Sequence, residues 1–205
     1  MSDTGQQTAI KREVRVQTQH GPIYGNLSIP PGSKAIVVFA HGSGSGRHSP
    51  RNNFVAEQLQ QAGLATFLMD LLTEEEERVD MVTRQFRFDI DRLGWRLVLA
   101  REWLEGDEET AHLKVGYFGS STGAAAAIVA AADREDIGAI VSRGGRPDLA
   151  GDALGRFSAP ILLIVGGNDV QVLQMNRDAM ERMKAPAELE IVPGATHLFE
   201  EPGKL

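Results

Sequence analysis

The hydrophobic positions of this chain fall into short apolar runs separated by stretches of helical spacing. Glu13-Val14-Arg15-Val16-Gln17 alternates polar and apolar residues, as a half-buried strand does. The turn signal His20-Gly21-Pro22 separates it from a second strand over Ile23–Ile29, so the two form a hairpin that Pro30-Pro31-Gly32 closes. Ala35–Ala40, Ala65–Asp70, Val115–Phe118 and Ile161–Val165 are continuous apolar runs, the mark of strands buried on both faces. Gly138–Ser142 and Glu188–Val192 complete the set. Between them lie helical patterns. Ser49-Pro50-Arg51 opens one as N-cap and first turn, with Val55, Leu59 and Ala62 inward and Gly63 at its end. A long pattern runs from Val79 to Leu104, its stripe formed by Val82, Phe86, Ile90, Leu93, Leu97, Ala100 and Leu104, with Gly94 as a bend. Ala124–Ala132 and Val170–Lys184 follow, the latter with Leu173, Met180 and Met183 inward. Asp148–Arg156 is at most a short helix. Strands alternating with helices predict an α/β fold, a doubly wound, mostly parallel sheet with an N-terminal antiparallel hairpin. Residues 1–205 read as one domain, with 1–12 as a flexible arm.

Composition narrows the function classes. Hydrophobic residues make up 42% and charged residues 24% of the 205, as in ordinary globular proteins. Twenty-one basic against 28 acidic residues give a net charge of −7, which offers no basic field to a nucleic acid. There are no cysteines, so disulfides, thiolate metal sites and a cysteine nucleophile are excluded, and a reducing compartment is favoured. The polar start MSDTGQQT carries no apolar signal segment, and no run is long enough to span a bilayer, so a cytoplasmic location is expected. The acidic run Glu74–Glu77 reads as a solvated loop entering a helix N-terminus. Metal binding is a poorer reading, because four adjacent glutamates do not converge on one point. His20 reads as a surface histidine at a turn, and Trp95 and Trp103 as packing residues.

The richest stretch is Val115–Ile128, VGYFGSSTGAAAAI. A strand enters Gly119-Ser120-Ser121-Thr122-Gly123 and leaves as an alanine-rich helix. Gly119, Ser121 and Gly123 fit G-x-S-x-G, whose glycines let strand and helix backbones crowd at a strained turn. The turn presents the Ser121 hydroxyl at a helix N-terminus, where free N–H groups favour developing negative charge. A solvated serine in a glycine-rich turn is the plain alternative. Ser120 sits at the wrong offset from the glycines and reads as a turn residue.

Two further loops at the carboxyl ends of strands carry matching chemistry. Asp169 follows Gly166-Gly167-Asn168, and His197 follows Pro193-Gly194-Ala195-Thr196. Each alone has a plain reading, Asp169 as an ordinary turn aspartate and His197 as a structural histidine. A serine hydroxyl needs a base within reach, and the base needs a carboxylate to fix its tautomer. The order Ser121, Asp169, His197 meets that need. Backbone N–H groups of Thr122 and of Ser43, in the loop His41-Gly42-Ser43-Gly44-Ser45-Gly46, are candidate donors to an oxyanion. That loop is neither a dinucleotide fingerprint nor a Walker motif, since the glycine spacing fails and no lysine follows. Arg143 and Arg146 follow a strand at the same edge and read as carboxylate binders, or as partners of Asp148 or Asp152. Arg47 and His48 receive no role.

The stretches VVFAHGSGSGRHSPRN (37–52), VGYFGSSTGAAAA (115–127), AIVSRGGRPDLAG (139–151), LLIVGGNDV (162–170) and IVPGATHLFEEPG (191–203) together resemble the α/β-hydrolase superfamily. The resemblance covers most of the chain and is nearest to the small, lidless, dienelactone-hydrolase-like branch. It implies a catalytic Ser121, Asp169 and His197, oxyanion donors at Ser43 and Thr122, and ester or related acyl hydrolysis through an acyl-enzyme without a cofactor. A carboxylesterase-type enzyme acting on a small-molecule acyl substrate is therefore expected, with no nucleic-acid or membrane partner. A thioesterase, an amidase, a non-catalytic binding protein and an altered scaffold are the alternatives. Two departures stand out. Dienelactone hydrolases proper use cysteine where this chain has Ser121. The family usually closes with a helix after the histidine loop, and Leu205 comes too early for one, so a shortened chain or a face covered in a homodimer is expected. No cap domain fits before Pro160.

Overall fold

The computed structural model describes residues 8–205. The strands are β1 Ile10–Thr18, β2 Gly21–Ile29, β3 Ala35–Ala40, β4 Ala65–Met69, β5 Lys114–Ser120, β6 Ile137–Arg143, β7 Ile161–Gly166 and β8 Ala187–Val192. They form one sheet in the order β1-β2-β4-β3-β5-β6-β7-β8. The β1–β2 and β2–β4 pairs are antiparallel and every other pair is parallel. This is the α/β-hydrolase fold with its N-terminal hairpin, and no cap is evident among the described residues. Strand order reverses at β3, which has β4 on one side and β5 on the other. The crevice at such a reversal, outside the carboxyl ends, is where ligands bind in open α/β sheets. Of the arm expected over residues 1–12, Ile10–Arg12 pair in β1 instead; residues 1–7 lie outside the described residues.

Helices α1 Pro50–Gln61, α2 Glu74–Thr83, α3 Ile90–Gly106, α4 Thr122–Ala131 and α5 Val170–Met180 connect the strands, with a short 3₁₀ segment at Pro147–Gly155. Most of the core lies between one sheet face and α3, α4 and the 3₁₀ segment, around Ile36, Val38, Phe67, Tyr117, Ile128 and Ile140. The other face carries Phe39, Leu68 and Phe118 under Ala56 of α1. Residues in register share a face, so Leu162 and Ile164 of β7 point the same way as Glu188 and Glu190 of β8. Both glutamates are exposed. The β8 edge therefore carries charge on that face, which blunts strand-to-strand pairing. Residues 193–205 form turns and no helix. No helix of the described residues is long and apolar enough to cross a membrane.

The expected helix over Val79–Leu104 is two helices. Arg84 ends α2 in the left-handed region at φ 59°. The buried Asp80 carboxylate then collects the N–H groups of Phe86 and Arg87 at 2.8 and 3.0 Å, and the Arg87 side chain at 2.7 Å. Those donors would be spent inside a continuous helix. Val82, placed on the apolar stripe, is 85% exposed as a result. Gly94 does not bend α3. A Cβ there would lie 2.7 Å from Val129 Cγ1, so the glycine lets α3 lie close on α4. Trp103 packs on Phe67, but Trp95 is exposed and takes no part in the core. The acidic run is not a loop: it is the first turn of α2, and Glu76 within it is buried. Thr73 and Glu76 form a capping box, each accepting the other's backbone N–H.

Candidate active site

Ser121 stands between the last residue of β5 and the first of α4, with φ 51° and ψ −121°. A non-glycine residue in that region is strained, and the surroundings must hold it there. Packing supplies the hold. A Cβ on Gly119 would lie 2.4 Å from Ala124 Cα, and one on Gly123 would lie 2.1 Å from the Ala40 carbonyl oxygen. Only glycines permit β5, α4 and the end of β3 to meet so closely. The Ser121 carbonyl oxygen accepts from Ala124 N at 3.1 Å and from Arg146 N at 3.0 Å, fixing the peptide from the far side.

Asp169 occupies the N-cap of α5, where a carboxylate normally accepts from its own helix. It makes no such bond. Its Oδ2 accepts instead from His197 Nδ1 at 2.7 Å. With the proton on Nδ1, Nε2 keeps a lone pair. Two loops must touch for this, and Gly166 allows it, since a Cβ there would sit 2.4 Å from the Ala195 carbonyl oxygen. Asn168 ties the same loops together, donating to Ala195 O at 2.9 Å through its backbone and to Gly194 O at 3.1 Å through its side chain. Ser121 and His197 line one cavity of about 220 Å³ with Ser43, Asn52, Arg51 and Arg143. Among the described residues no hydrogen bond joins Ser121 to His197; such contacts are often long in unliganded sites and tighten with substrate.

The loop after β3 brings Ser43 beside Thr122, their hydroxyls 3.1 Å apart. Among the described residues neither backbone N–H has a hydrogen-bond partner. His41 holds this loop from below. Its Nε2 accepts from Leu71 N at 3.0 Å, which places the proton on Nδ1 for donation to Gly42 O at 2.9 Å. Complete burial lowers its pKa from the usual histidine value, against weaker opposing effects from Gly42 and Asp70. The folded state therefore binds this proton less readily than the unfolded chain, so its stability contribution is present above pH 6.5 and falls away below it. We expect His41→Leu to cost about 1–3 kcal/mol at pH 8, the penalty of an orphaned Leu71 N–H. In urea titrations across pH 8 to 5 the gap to the unaltered protein should narrow; a constant gap would contradict a neutral His41. The loop's other anchor is Asp70, which accepts from Arg47 N at 2.8 Å and from its guanidinium at 2.7 Å. Arg47, given no role from sequence, thus pins the loop, whereas His48 is exposed.

Ser120 differs from the sequence reading, and the two arginines divide between the alternatives that reading left open. Ser120 is not a turn residue: it ends β5, is buried, and donates to Asn52 Oδ1 at 3.2 Å. Arg146, one of the two candidate anion binders, is engaged by both oxygens of Asp148 at 2.7 and 2.8 Å. Arg143 pairs with neither Asp148 nor Asp152. It donates to Ser120 Oγ at 3.0 Å and Asn52 Oδ1 at 3.2 Å, and lies over the Phe118 ring at 5.7 Å. Asn52 and Arg51 carry no local signal, because only the packing of α1 on the sheet brings them here, with Asn52 reaching Ser120 of β5 and Arg143 of β6. A second, larger cavity of about 700 Å³ shares Ser45 and Ser49 with the first and is walled by His41, Arg47, Asp70 and Leu72.

Comparisons with known proteins agree with this architecture. A dienelactone hydrolase from Anabaena variabilis, known from its crystal structure, is 58% identical, with a TM-score of 0.93 over 96% of this chain and 91% of that one. Est1E from Butyrivibrio proteoclasticus, at 14% identity, shares the fold with a TM-score of 0.75 over 92% of this chain and 91% of that one. Proteins from two Mycobacterium tuberculosis strains, provisionally named phosphoribosyl transferases, are 57% identical over 194 residues. Those residues are 94% of this chain but only 43% of each relative, so the chain spans under half their length. The model of the dienelactone hydrolase family matches residues 23–204, which take in the sheet from β2 to β8 and both loops that carry Asp169 and His197. On that match the chain belongs to the dienelactone hydrolase family, a family of hydrolases.

Proposed function

We propose that this hydrolase cleaves small carboxylic esters through an acyl-enzyme on Ser121. His197 Nε2 takes the hydroxyl proton as Ser121 Oγ attacks the carbonyl carbon. Asp169 holds the imidazole by Nδ1 and stabilises its charged form. The N–H groups of Ser43 and Thr122 receive the oxyanion. The bond to the leaving oxygen breaks, and His197 returns the proton to it. Water then attacks the acyl carbon with His197 again as base, releasing the acid and restoring Ser121. The observation that carries this reading is the 2.7 Å His197–Asp169 contact at the rim of the cavity that also holds the strained Ser121. A cavity of about 220 Å³ is below the usual range for drug-sized ligands and suits a small acyl group. The same machinery serves thioesters and amides, so substrates of all three kinds belong in the first screen. The transferase name belongs to relatives more than twice this length, and hydrolysis is the chemistry that this chain's own groups support.

Labelling with a fluorophosphonate probe, followed by peptide mapping, tests the proposal. We expect label on Ser121, absent in Ser121→Ala and reduced in His197→Ala. An intact, folded protein that takes no label would overturn it.

A further inference from the structure

Arg143 is a charged side chain with no counter-ion among the described residues. It stands at the end of β6 in the wall of the cavity that holds Ser121. Among the described residues no carboxylate lies within ion-pair distance of it, and its partners are the neutral oxygens of Ser120 and Asn52. Its Nη1 is buried with no hydrogen-bond partner among the described residues. Burial, with the nearby charge of Arg51, pushes its pKa down to about 10, so it remains protonated at neutral pH. A partly buried, unpaired guanidinium is costly unless something anionic arrives to pair with it.

Arg51 lines the same cavity from the first turn of α1. Its only ion-pair partner among the described residues is Glu200, at 3.0 Å, and that pair is open to solvent. Exposed pairs of this kind are weak and readily exchanged. The hydroxyls of Ser45 and Ser49 complete the wall, at the positive end of α1. Displacing Glu200 would leave two guanidinium charges facing one small volume. One carboxylate would neutralise half of that; a phosphoryl dianion, with three terminal oxygens, matches both charges and the hydroxyls.

We infer that this end of the cavity is a subsite for a phosphate group carried by the substrate, held by Arg143 and Arg51, with Glu200 as the internal anion it displaces. This inference rests on the proposed action of Ser121 on an ester. Arg143 touches Ser120, the neighbour of Ser121, so phosphate and ester must lie within a few bonds of each other. The substrate class is then a small phosphorylated ester, with the phosphate as a handle that takes no part in the bond cleavage.

The test measures equilibrium binding of inorganic phosphate and glycerol phosphate to the Ser121→Ala protein by calorimetry, with succinate as the carboxylate control. In parallel, the unaltered protein is assayed for hydrolysis of p-nitrophenyl acetate and of acetyl-glycerol phosphate. Both phosphates should bind more tightly than succinate. Arg143→Gln and Arg51→Gln should each weaken phosphate binding about ten- to hundredfold, the loss of a charge-assisted bond, and Glu200→Gln should tighten it. Opposite signs at Arg51 and Glu200 are not expected of a merely structural role, and they decide the matter if Arg143→Gln fails to fold. Phosphate binding that is absent, indifferent to these substitutions, or weaker than succinate binding overturns the subsite. Turnover of the acetate without phosphate binding sinks the subsite alone. Arg51-dependent phosphate binding by a folded protein that turns over neither ester and takes no fluorophosphonate label upholds the phosphate site and sinks the hydrolytic reading.

Discussion

Replacing Ser121 by alanine should abolish turnover of any ester this protein accepts, lowering kcat by about 10⁴–10⁶-fold. The fold should survive. Alanine fits the volume, and the serine hydroxyl has no hydrogen-bond partner among the described residues whose loss would be felt. Glycine at the same position separates catalysis from strain. Ser121 holds φ 51° and ψ −121°, a conformation that costs a non-glycine residue about 1–3 kcal/mol. Ser121→Gly should therefore be as inactive as Ser121→Ala yet more resistant to urea. Rate measurements on purified variants, with unfolding followed in parallel, check both halves. Near-normal turnover by Ser121→Ala would remove the serine from the mechanism. Equal stability of the two variants would mean that the turn is not strained.

The strands were legible because a sheet buried on both faces writes itself as apolar runs, and the hairpin because it alternates. The glycine-serine turn was legible because close backbone approach excludes every residue but glycine, and sequence records that exclusion directly. Boundaries and faces that depend on distant side chains were not. Nothing local shows that Asp80 will capture the N–H groups of residues 86 and 87, so an apolar stripe running through Phe86 looks like uninterrupted helix. Gly94 is a contact glycine, a role defined by Val129 on another helix. The candidate site divides in the same way. Ser121, Asp169 and His197 each follow a strand and could be named from the chain. Asn52 and Arg51 enter the cavity through the packing of α1, Ser120 meets Asn52 from the end of β5, and Arg143 is distinguished from Arg146 by which of them finds an aspartate.

Glu76 shows the same limit with the largest consequence for stability. Within a run of four glutamates it looks like one more solvated charge, but it is 5% exposed at the base of α2. Its Oε1 accepts from Arg92 and from Arg96, both at 2.7 Å, while Oε2 accepts from Thr73 N at 2.9 Å. Arg96 is itself 3% exposed and has no other carboxylate partner among the described residues. Truncating Glu76 therefore leaves a buried guanidinium unpaired and a cap N–H unsatisfied. Removing one partner of a buried pair costs about 3–5 kcal/mol. We expect Glu76→Ala to lower the unfolding free energy by that amount, whereas Glu75→Ala, one residue away and exposed, should change it by about 0.5 kcal/mol or less. The double variant Glu76→Leu with Arg96→Met should regain most of the loss, because the penalty lies in the stranded charge and not in the absent bond. Urea titrations of the four proteins decide this. If the double variant is no more stable than Glu76→Ala, the pair is holding α2 against α3 by its geometry. If Glu76→Ala is as mild as Glu75→Ala, the Arg96 charge finds water or another partner when the carboxylate goes.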